Sequence, residues 1–224
     1  MNDLLRSLGL SLQISFIATM VTAVLAIPLA FFLARKKFVG KSLIEALFTL
    51  PLVMPPTVVG YFLVVLLGVN GWIGRWLNEW FGLRLIFDWR GAVIAAVVVS
   101  FPLLFLPAKA AFASIERELE DIATLMGAGP LRIFWHVSLP LARRGIVSGL
   151  LLAFARALGE FGATVMIFGD ISGHQTLPIS IYSDYTSGRS LEPSSPTWMA
   201  VTALSVVSLL VILVYNRATA LSPE

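Results

Sequence analysis

The chain has 224 residues, of which 58% are hydrophobic and only 13% are charged, with a formal net charge of +3. A soluble globular domain carries about 25% charged residues, so this composition excludes one and predicts an integral membrane protein. The absence of cysteine excludes a disulfide framework and a thiolate metal site, and the basic residues lie beside apolar runs rather than along one face, which argues against nucleic-acid binding.

Five apolar runs predict the membrane-spanning helices of a single all-α domain over residues 1–224. A helix needs about 20 apolar residues to cross the hydrocarbon core of a bilayer, and the runs have this length within a few residues at each end. They cover residues 10–34, 46–67, 92–108, 146–168 and 198–215. The first run is too long for a signal peptide and ends in Arg35-Lys36-Lys37, so we interpret it as a retained span.

The distribution of basic residues predicts the orientation of the spans. One set of connecting segments contains Arg35, Lys36, Lys37, Lys41, Lys109, Arg117, Arg132, Arg143, Arg144 and Arg217, whereas the other contains only Arg6, Arg75, Arg84, Arg90 and Arg189. By the positive-inside rule the richer set is cytoplasmic. Because the number of spans is odd, the N-terminus is predicted outside and the C-terminus in the cytoplasm.

The second run contains Pro51, Pro55 and Pro56, which remove amide donors and clash with the preceding helical turn. A regular helix cannot continue unperturbed through these positions. Irregular backbone at membrane depth is tolerated where protein covers it or where it lines a water-filled cavity. The run is therefore a candidate wall of a translocation pathway, and the alternative is a kink that serves packing alone.

Between the second and third runs, Trp72, Trp76 and Trp80 recur every four residues and predict the aromatic face of a short helix. Tryptophan is enriched at membrane–water interfaces, so we expect this helix to lie in the outer interface. A ligand cage built from the same rings is the alternative.

Residues 114–140, which we call the 114–140 segment, interrupt the apolar pattern on the predicted cytoplasmic side. Apolar residues recur there at helical spacing among charged ones and predict an amphipathic helix, at Ile115, Leu119, Ile122 and Met126. Ser114 is a candidate N-cap, and the sequence Gly-Ala-Gly-Pro at 127–130 is expected to end this helix and start another. A cytoplasmic partner could bind this segment; an ordinary surface loop is the alternative.

The fourth run contains Arg156 and Glu160, which share a helix face at positions i and i+4 and can pair. Ionisable residues inside a span usually face a bundle interior or an aqueous path, and Gly159 and Gly162 allow close backbone approach. A neutralising pair that only fixes helix packing is the alternative. We assign the translocation pathway to the second and fourth runs, at Pro51, Pro55, Pro56, Arg156, Gly159, Glu160, Gly162 and Thr164.

Other patterns in the chain do not support enzymatic or metal chemistry. Gly40-Lys41-Ser42 ends like a phosphate-binding loop, but Arg35 stands where such a loop requires glycine. His136 and His174 each lack a second histidine at metal-ligand spacing, and no nucleophile–base motif occurs. The chain is therefore predicted not to be an enzyme and to hold no metal, and the polar run 169–196 is predicted to be an external loop.

With these residues in view, the 114–140 segment resembles the EAA loop of the transmembrane subunits of ABC importers. The positions that carry the resemblance are Glu120, Ala123, Gly127, Ala128, Leu139 and Pro140, with Gly129 between them. Ile122 departs from the pattern, because alanine is usual there. The resemblance implies a type I ABC importer transmembrane fold in which these residues form a coupling helix that docks on a separate ATPase subunit.

The resemblance extends to the molybdate permeases of this family. It rests on LPLVMPPTVVGYFL at 50–63, DWRGAV at 88–93 and FARALGEFGAT at 154–164, the last of which sulfate permeases share. The resemblance implies import of molybdate, or alternatively of tungstate or sulfate, through a pathway between two copies of the chain in the bacterial inner membrane.

The same resemblance implies the other components. Two ATPase subunits would bind ATP and Mg²⁺, an extracytoplasmic molybdate-binding protein would deliver the oxyanion, and this chain would hold no cofactor. A function of a different class also stays open, namely a self-contained channel or secondary transporter that uses Arg156 and Glu160 for ion or proton coupling.

Overall fold

The computed structural model describes residues 2–169, 175–188 and 196–220 of the chain. These residues form eleven α-helices and one π-helical turn, and no strand occurs among them. The elements are α1 (Asn2–Arg35), α2 (Lys41–Val53), α3 (Pro56–Leu67), α4 (Trp72–Phe81), α5 (Trp89–Ala113), α6 (Arg117–Leu125), α7 (Pro130–Ile133), the π-turn (Phe134–Ser138), α8 (Leu139–Leu158), α9 (Gly162–Phe168), α10 (Leu177–Thr186) and α11 (Pro196–Ala220). The predicted all-α fold class is confirmed, while His174 and Arg189 lie outside the described residues.

Four helical stretches in the described part of the chain are long and apolar enough to cross a membrane: Leu4–Arg35, Trp89–Ala113, Pro130–Leu158 and Thr197–Ala218. α2 and α3 meet this criterion only as a pair, which is bent by 115° at its break. The predicted run 146–168 is not one helix, because α8 ends at Leu158 and α9 begins at Gly162. Glycine on both sides of this break weakens the helix there.

α5 is the central helix, and α1 and α8 pack along it. Its contact surface combines small side chains with buried aromatic rings, at Ala92, Ala95, Ala96, Leu104, Phe105, Ala108 and Phe112. Gly149 of α8 lies so close to α5 that a Cβ atom there would be 2.8 Å from Leu104 Cδ1. Small residues allow membrane helices to approach closely, and the hydroxyls of Thr22 and Ser100, 3.4 Å apart, add a polar link between α1 and α5.

The prolines explain the break between α2 and α3. Met54 and Pro55 each precede a proline, and their ψ angles of 141° and 132° are those of extended backbone. Pro51 lies inside α2 without ending it, whereas Pro56 is the first residue of α3, where its missing amide is not needed. The expectation that no regular helix runs through this region is therefore confirmed.

The bent pair contacts both halves of α5. Near the C-terminal end of α5, Glu45 of α2 pairs with Lys109 at 2.7 Å. Further along, the rings of Phe48 and Phe105 lie 5.5 Å apart, and Leu67 at the end of α3 shares a buried cluster with the N-terminal half of α5. α2 therefore packs beside the C-terminal half of α5, and α3 packs beside its N-terminal half.

α4 is the short aromatic helix that the tryptophan spacing predicts. Trp72, Trp76 and Trp80 are 91%, 53% and 73% exposed. On α4, Arg75 donates a hydrogen bond to the Glu79 carboxylate at 2.7 Å, and this bond raises the pKa of the guanidinium above its ordinary value. The position of α4 in the outer membrane interface stays a prediction.

The polar run 169–196 is not entirely a loop. α10 lies within it, and Leu177 and Ile179 of this helix are fully buried. The Leu177 N–H donates to Ser11 Oγ of α1 at 2.7 Å, so α10 packs on the N-terminal part of α1. Composition misleads here because two apolar residues are enough to bury one side of so short a helix.

Candidate functional site

The 114–140 segment lies at the end of the bundle where α1 and α5 finish and the helix containing α8 begins. The prediction that Ser114 caps its helix is wrong: Ser114 follows the last residue of α5, and its Oγ donates to the Ala111 carbonyl at 2.9 Å. With φ −79° and ψ −11°, Ser114 lacks the extended backbone of an N-cap. α6 instead begins at Arg117, with Glu116 as its N-cap.

The amphipathic character of α6 is confirmed, but its apolar side faces outward. The exposed fractions are 43% for Leu119, 54% for Ile122, 87% for Leu125 and 83% for Met126, whereas Ile115, which precedes the helix, is 9% exposed. A surface helix normally turns its apolar stripe toward the core. A contiguous apolar stripe that faces outward is typical of a surface that contacts another protein or a membrane.

The inner side of α6 carries Glu120, which joins Arg35 and Ser138 in a group that we call the Glu120 cluster. Arg35 donates to Glu120 Oε1 from Nη2 at 2.7 Å and from Nε at 3.1 Å, and Ser138 Oγ donates to the same oxygen at 2.7 Å. The side chains of Arg35 and Glu120 are 11% and 16% exposed. These charge-assisted bonds connect α6 to the end of α1 and to the π-turn.

The predicted helix stop at Gly127 is confirmed. Gly127 has a φ of +83°, in the left-handed region that glycine favours after a helix. The N–H of Ala128 donates to the carbonyl of Ala123 at 3.0 Å and closes the turn. Gly129 then leads into Pro130, the first residue of α7, as the sequence predicts.

α7, the π-turn and α8 form one continuous helical stretch from Pro130 to Leu158. The π-turn lies just before Pro140, whose missing amide cannot bond to the carbonyl of the preceding turn. A local widening of the helix accommodates this loss and places the buried Ser138 against Glu120. Leu139 is partly buried against the core between α1, α5 and α8.

A second charged group, which we call the Glu160 cluster, consists of Arg156, Glu160 and Ala163. Arg156 Nη1 and Glu160 Oε2 are 2.5 Å apart, so the ion pair that the spacing predicts is present. Glu160 Oε1 accepts a hydrogen bond from the Ala163 N–H at 2.7 Å, in the first turn of α9. The Glu160 side chain is 1% exposed and that of Arg156 is 29% exposed. The carboxylate therefore fixes the helix break, and the guanidinium is the accessible group.

α3 and α9 pack tightly beside the Glu160 cluster. A Cβ atom on Gly162 would lie 2.9 Å from the Pro56 Cβ, and one on Gly60 would lie 2.8 Å from the Ala163 Cα. At Gly159 the nearest atom to such a Cβ is 3.7 Å away, in the last turn of α8. The close approach predicted at Gly162 is therefore observed within the chain, whereas at Gly159 the nearest atom lies at ordinary van der Waals distance and the approach stays a prediction.

The other predicted pathway residues lie apart from this contact. Pro51 lines an apolar recess between α1, α2 and α5, and Pro55 is exposed at the break between α2 and α3. Thr164 is buried within α9. The structure therefore gathers the Arg156–Glu160 pair, Pro56 and Gly162 around the break between α8 and α9, and it places Pro51 elsewhere.

Sequence reasoning missed three contributors to these groups. From the sequence, Arg35 is only one of the basic residues that indicate the orientation of the spans. Nothing in the sequence connects it with a carboxylate 85 positions away. Ser138 carries no signal at all. Gly60 could be found, because a glycine within an apolar run often marks close helix packing in membranes. Among the described residues no group of acidic and histidine side chains could hold a metal ion.

Comparison with known proteins identifies the family to which the chain is similar. The family described as "Binding-protein-dependent transport system inner membrane component" matches residues 26–221. The molybdenum transport system permease protein ModB of Haemophilus influenzae is 42% identical over 207 residues, which cover 92% of this chain and 90% of that protein. The sulfate transport system permease protein CysW of a Synechocystis strain is 36% identical over 200 residues, which cover 85% of this chain and 72% of CysW.

Among solved structures, a bacterial ABC transporter involved in the import of the acidic polysaccharide alginate is similar to the whole chain. The TM-score is 0.78 at 16% sequence identity, over 100% of this chain and 81% of that one. At this low identity the similarity concerns the fold, and it confirms the predicted ABC importer transmembrane architecture.

Proposed function

The chain belongs to the family of binding-protein-dependent transport system inner membrane components, and on this premise we propose that it is the permease subunit of an ATP-driven molybdate importer. The choice of molybdate as the substrate rests on the 42% identity to the Haemophilus influenzae molybdenum permease along nearly the whole chain. The protein is a multi-pass component of the inner membrane, and a separate subunit hydrolyses ATP.

Two copies of the chain enclose the pathway in this proposal. Five crossings do not divide into two equal halves, so a two-fold pathway requires a second copy. Two ATPase subunits, which bind ATP and Mg²⁺, cover the outward-facing apolar stripe of α6 on the cytoplasmic side. An extracytoplasmic binding protein delivers the oxyanion to the opposite face.

ATP drives transport by changing the relative positions of the ATPase subunits. Their movement displaces the 114–140 segments and converts the permease from an inward-facing to an outward-facing state. The equilibrium between the two states is biased by nucleotide on one side and by loaded binding protein on the other.

Arg156 offsets the negative charge of the passing oxyanion. Its guanidinium is the accessible member of the Glu160 cluster, while Glu160 is buried and keeps the anion from being held too tightly. We expect Arg156→Gln to lower substrate-stimulated ATPase activity and uptake about tenfold in assembled complexes, because one charge-assisted contact is lost. Arg156→Lys, which retains the charge, serves as the control. Unchanged uptake in assembled Arg156→Gln complexes would contradict this role.

The function is tested by reconstituting the chain with its ATPase and binding protein in proteoliposomes. ATPase activity and uptake are measured with the binding protein loaded in turn with molybdate, tungstate and sulfate, and the largest stimulation is expected with molybdate. The similarity to CysW makes sulfate the alternative. Uptake by the purified chain without ATPase subunits would favour a self-contained channel or secondary transporter.

A further inference from the structure

We infer that Arg35 and Ser138 are positioning residues for Glu120, and that Glu120 acts inside the chain rather than on the ATPase. Glu120 connects α6 to α1 and α8, so that these elements move together when the ATPase moves. This inference rests on the proposed function, because it concerns how the movement of a bound ATPase reaches the membrane part of the chain.

The contacts of Glu120 account for its orientation. One carboxylate oxygen, Oε1, accepts three hydrogen bonds: two from Arg35 and one from Ser138. Any cationic side chain of the ATPase that bound the same oxygen would have to displace Arg35 from it. Leaving Arg35 without its carboxylate while only 11% of its side chain is exposed would be costly.

Backbone contacts strengthen the connection on both sides of Glu120. Arg35 Nη1 donates to the Ile115 carbonyl just before α6 at 3.2 Å, and Arg117 Nη2 donates in return to the Arg35 carbonyl at 3.3 Å. The end of α1 and the beginning of α6 are therefore connected in two directions. A displacement of α6 must either carry the end of α1 with it or break these bonds together.

The outer side of α6 is left for the partner. Leu125 and Met126 are the most exposed of its apolar residues, at 87% and 83%. Leu131 and Trp135, further along the 114–140 segment, are also exposed, at 72% and 57%. Binding to the ATPase is thus assigned to apolar contacts, and transmission of movement to the Glu120 cluster. The two roles belong to opposite sides of one helix.

This separation gives an experiment with two independent readouts. Complexes carrying Arg35→Gln, Glu120→Gln, both together, or Leu125→Ser are compared for ATPase affinity and for molybdate uptake per ATP hydrolysed. We expect Arg35→Gln and Glu120→Gln each to lower uptake per ATP about tenfold, with the double variant no worse than either single one, because both changes remove the same contact. Leu125→Ser should lower ATPase affinity by a larger factor than it lowers uptake per ATP in complexes that form, the reverse of the order expected for Arg35→Gln.

Matched controls separate a specific contact from a general loss of charge or fold. Glu118→Gln changes an exposed carboxylate on the same helix and should alter neither readout. Ser138→Ala removes one of the three hydrogen bonds and is expected to lower uptake per ATP about threefold. It keeps the inference testable if the Arg35 variants fail to assemble, and normal uptake per ATP in Ser138→Ala complexes would then count against it.

Three outcomes would overturn the inference. They are a loss of ATPase affinity with Glu120→Gln but not with Arg35→Gln, additive effects in the double variant, and normal uptake per ATP in both single variants. Failure of the unaltered chain to bind the ATPase at all would instead contradict the proposed function. The two failures are therefore distinguishable in the same set of measurements.

Discussion

The arginine–glutamate pairs of the two clusters differ in the sequence distance between their partners. Arg156 and Glu160 are four positions apart, whereas Arg35 and Glu120 are 85 positions apart. The first pair sets the local backbone where α8 ends and α9 begins, and the second sets the positions of three helical elements relative to one another. An ion pair within one helix region can thus fix a local bend, whereas a pair between distant segments can fix how several helices are arranged.

The pairs also differ in burial. The side chain of Glu160 is 1% exposed and that of Glu120 is 16% exposed. Loss of the carboxylate should therefore lower the free energy of unfolding more at Glu160, and lower uptake per ATP hydrolysed more at Glu120. Substitutions at the two glutamates, and at the glycines near them, test whether residues that stabilise the fold are separate from residues that couple ATP hydrolysis to uptake.

The largest effect is expected from Glu160→Ala. The change leaves Arg156 without its partner and Ala163 without an acceptor for its N–H, so we expect the free energy of unfolding to fall by about 3 kcal/mol. Glu120→Ala should cost about half as much, because its surroundings are more exposed to water. Thermal unfolding of the purified protein in detergent checks both values. Glu160→Gln is the control, since its amide oxygen can still accept from Ala163, and equal losses for the two alanine variants would contradict the comparison.

A smaller effect is expected from Gly162→Ala. The added Cβ atom would lie 2.9 Å from the Pro56 Cβ and 3.2 Å from the Thr57 amide nitrogen, so α3 and α9 must move apart at a cost of about 1–3 kcal/mol. Gly129→Ala is the matched control in the 114–140 segment, because no atom lies within 4 Å of its Cβ position. A melting temperature of Gly162→Ala as high as that of Gly129→Ala would show that the contact between α3 and α9 is not tight.

The smallest of the three effects is expected from Gly127→Ala. The φ of +83° is strained for alanine, but no neighbouring atom is close, so the loss should be about 1 kcal/mol. Gly127→Asn should lose less, because asparagine tolerates this conformation better. ATPase affinity and uptake per ATP are measured on both variants. A loss of coupling without a loss of stability would mean that Gly127 works as a hinge rather than only as a turn.

The sequence predicts the parts of this fold that depend on local chemistry. Apolar runs of membrane length give the long helices, Pro55 and Pro56 give the break between α2 and α3, and Gly127 gives the end of α6. The Arg156–Glu160 pair follows from its i,i+4 spacing. In each case the residues that determine the outcome lie within one or two helical turns.

The parts that could not be predicted depend on contacts between distant segments. The apolar pattern of α6 predicts an amphipathic helix but does not reveal which side faces outward, because that depends on Arg35 and Ser138. The helical content of the run 169–196 was hidden for the same reason, since α10 is held by Ser11 at the other end of the chain. Gly162 differs from Gly159 only through its contact with Pro56.

The continuous helical stretch from Pro130 to Leu158, which includes the π-turn, has a mechanical consequence. Arg156 and the exposed surface at Pro130 stand on the same rod, and 26 residues at 1.5 Å each separate them by about 39 Å. A tilt of about 5° moves one end of such a rod by about 3 Å relative to the other, close to the length of a hydrogen bond. A small rotation imposed at the Pro130 end would therefore displace the arginine by a comparable distance, unless the π-turn at Phe134–Ser138 bends and absorbs it.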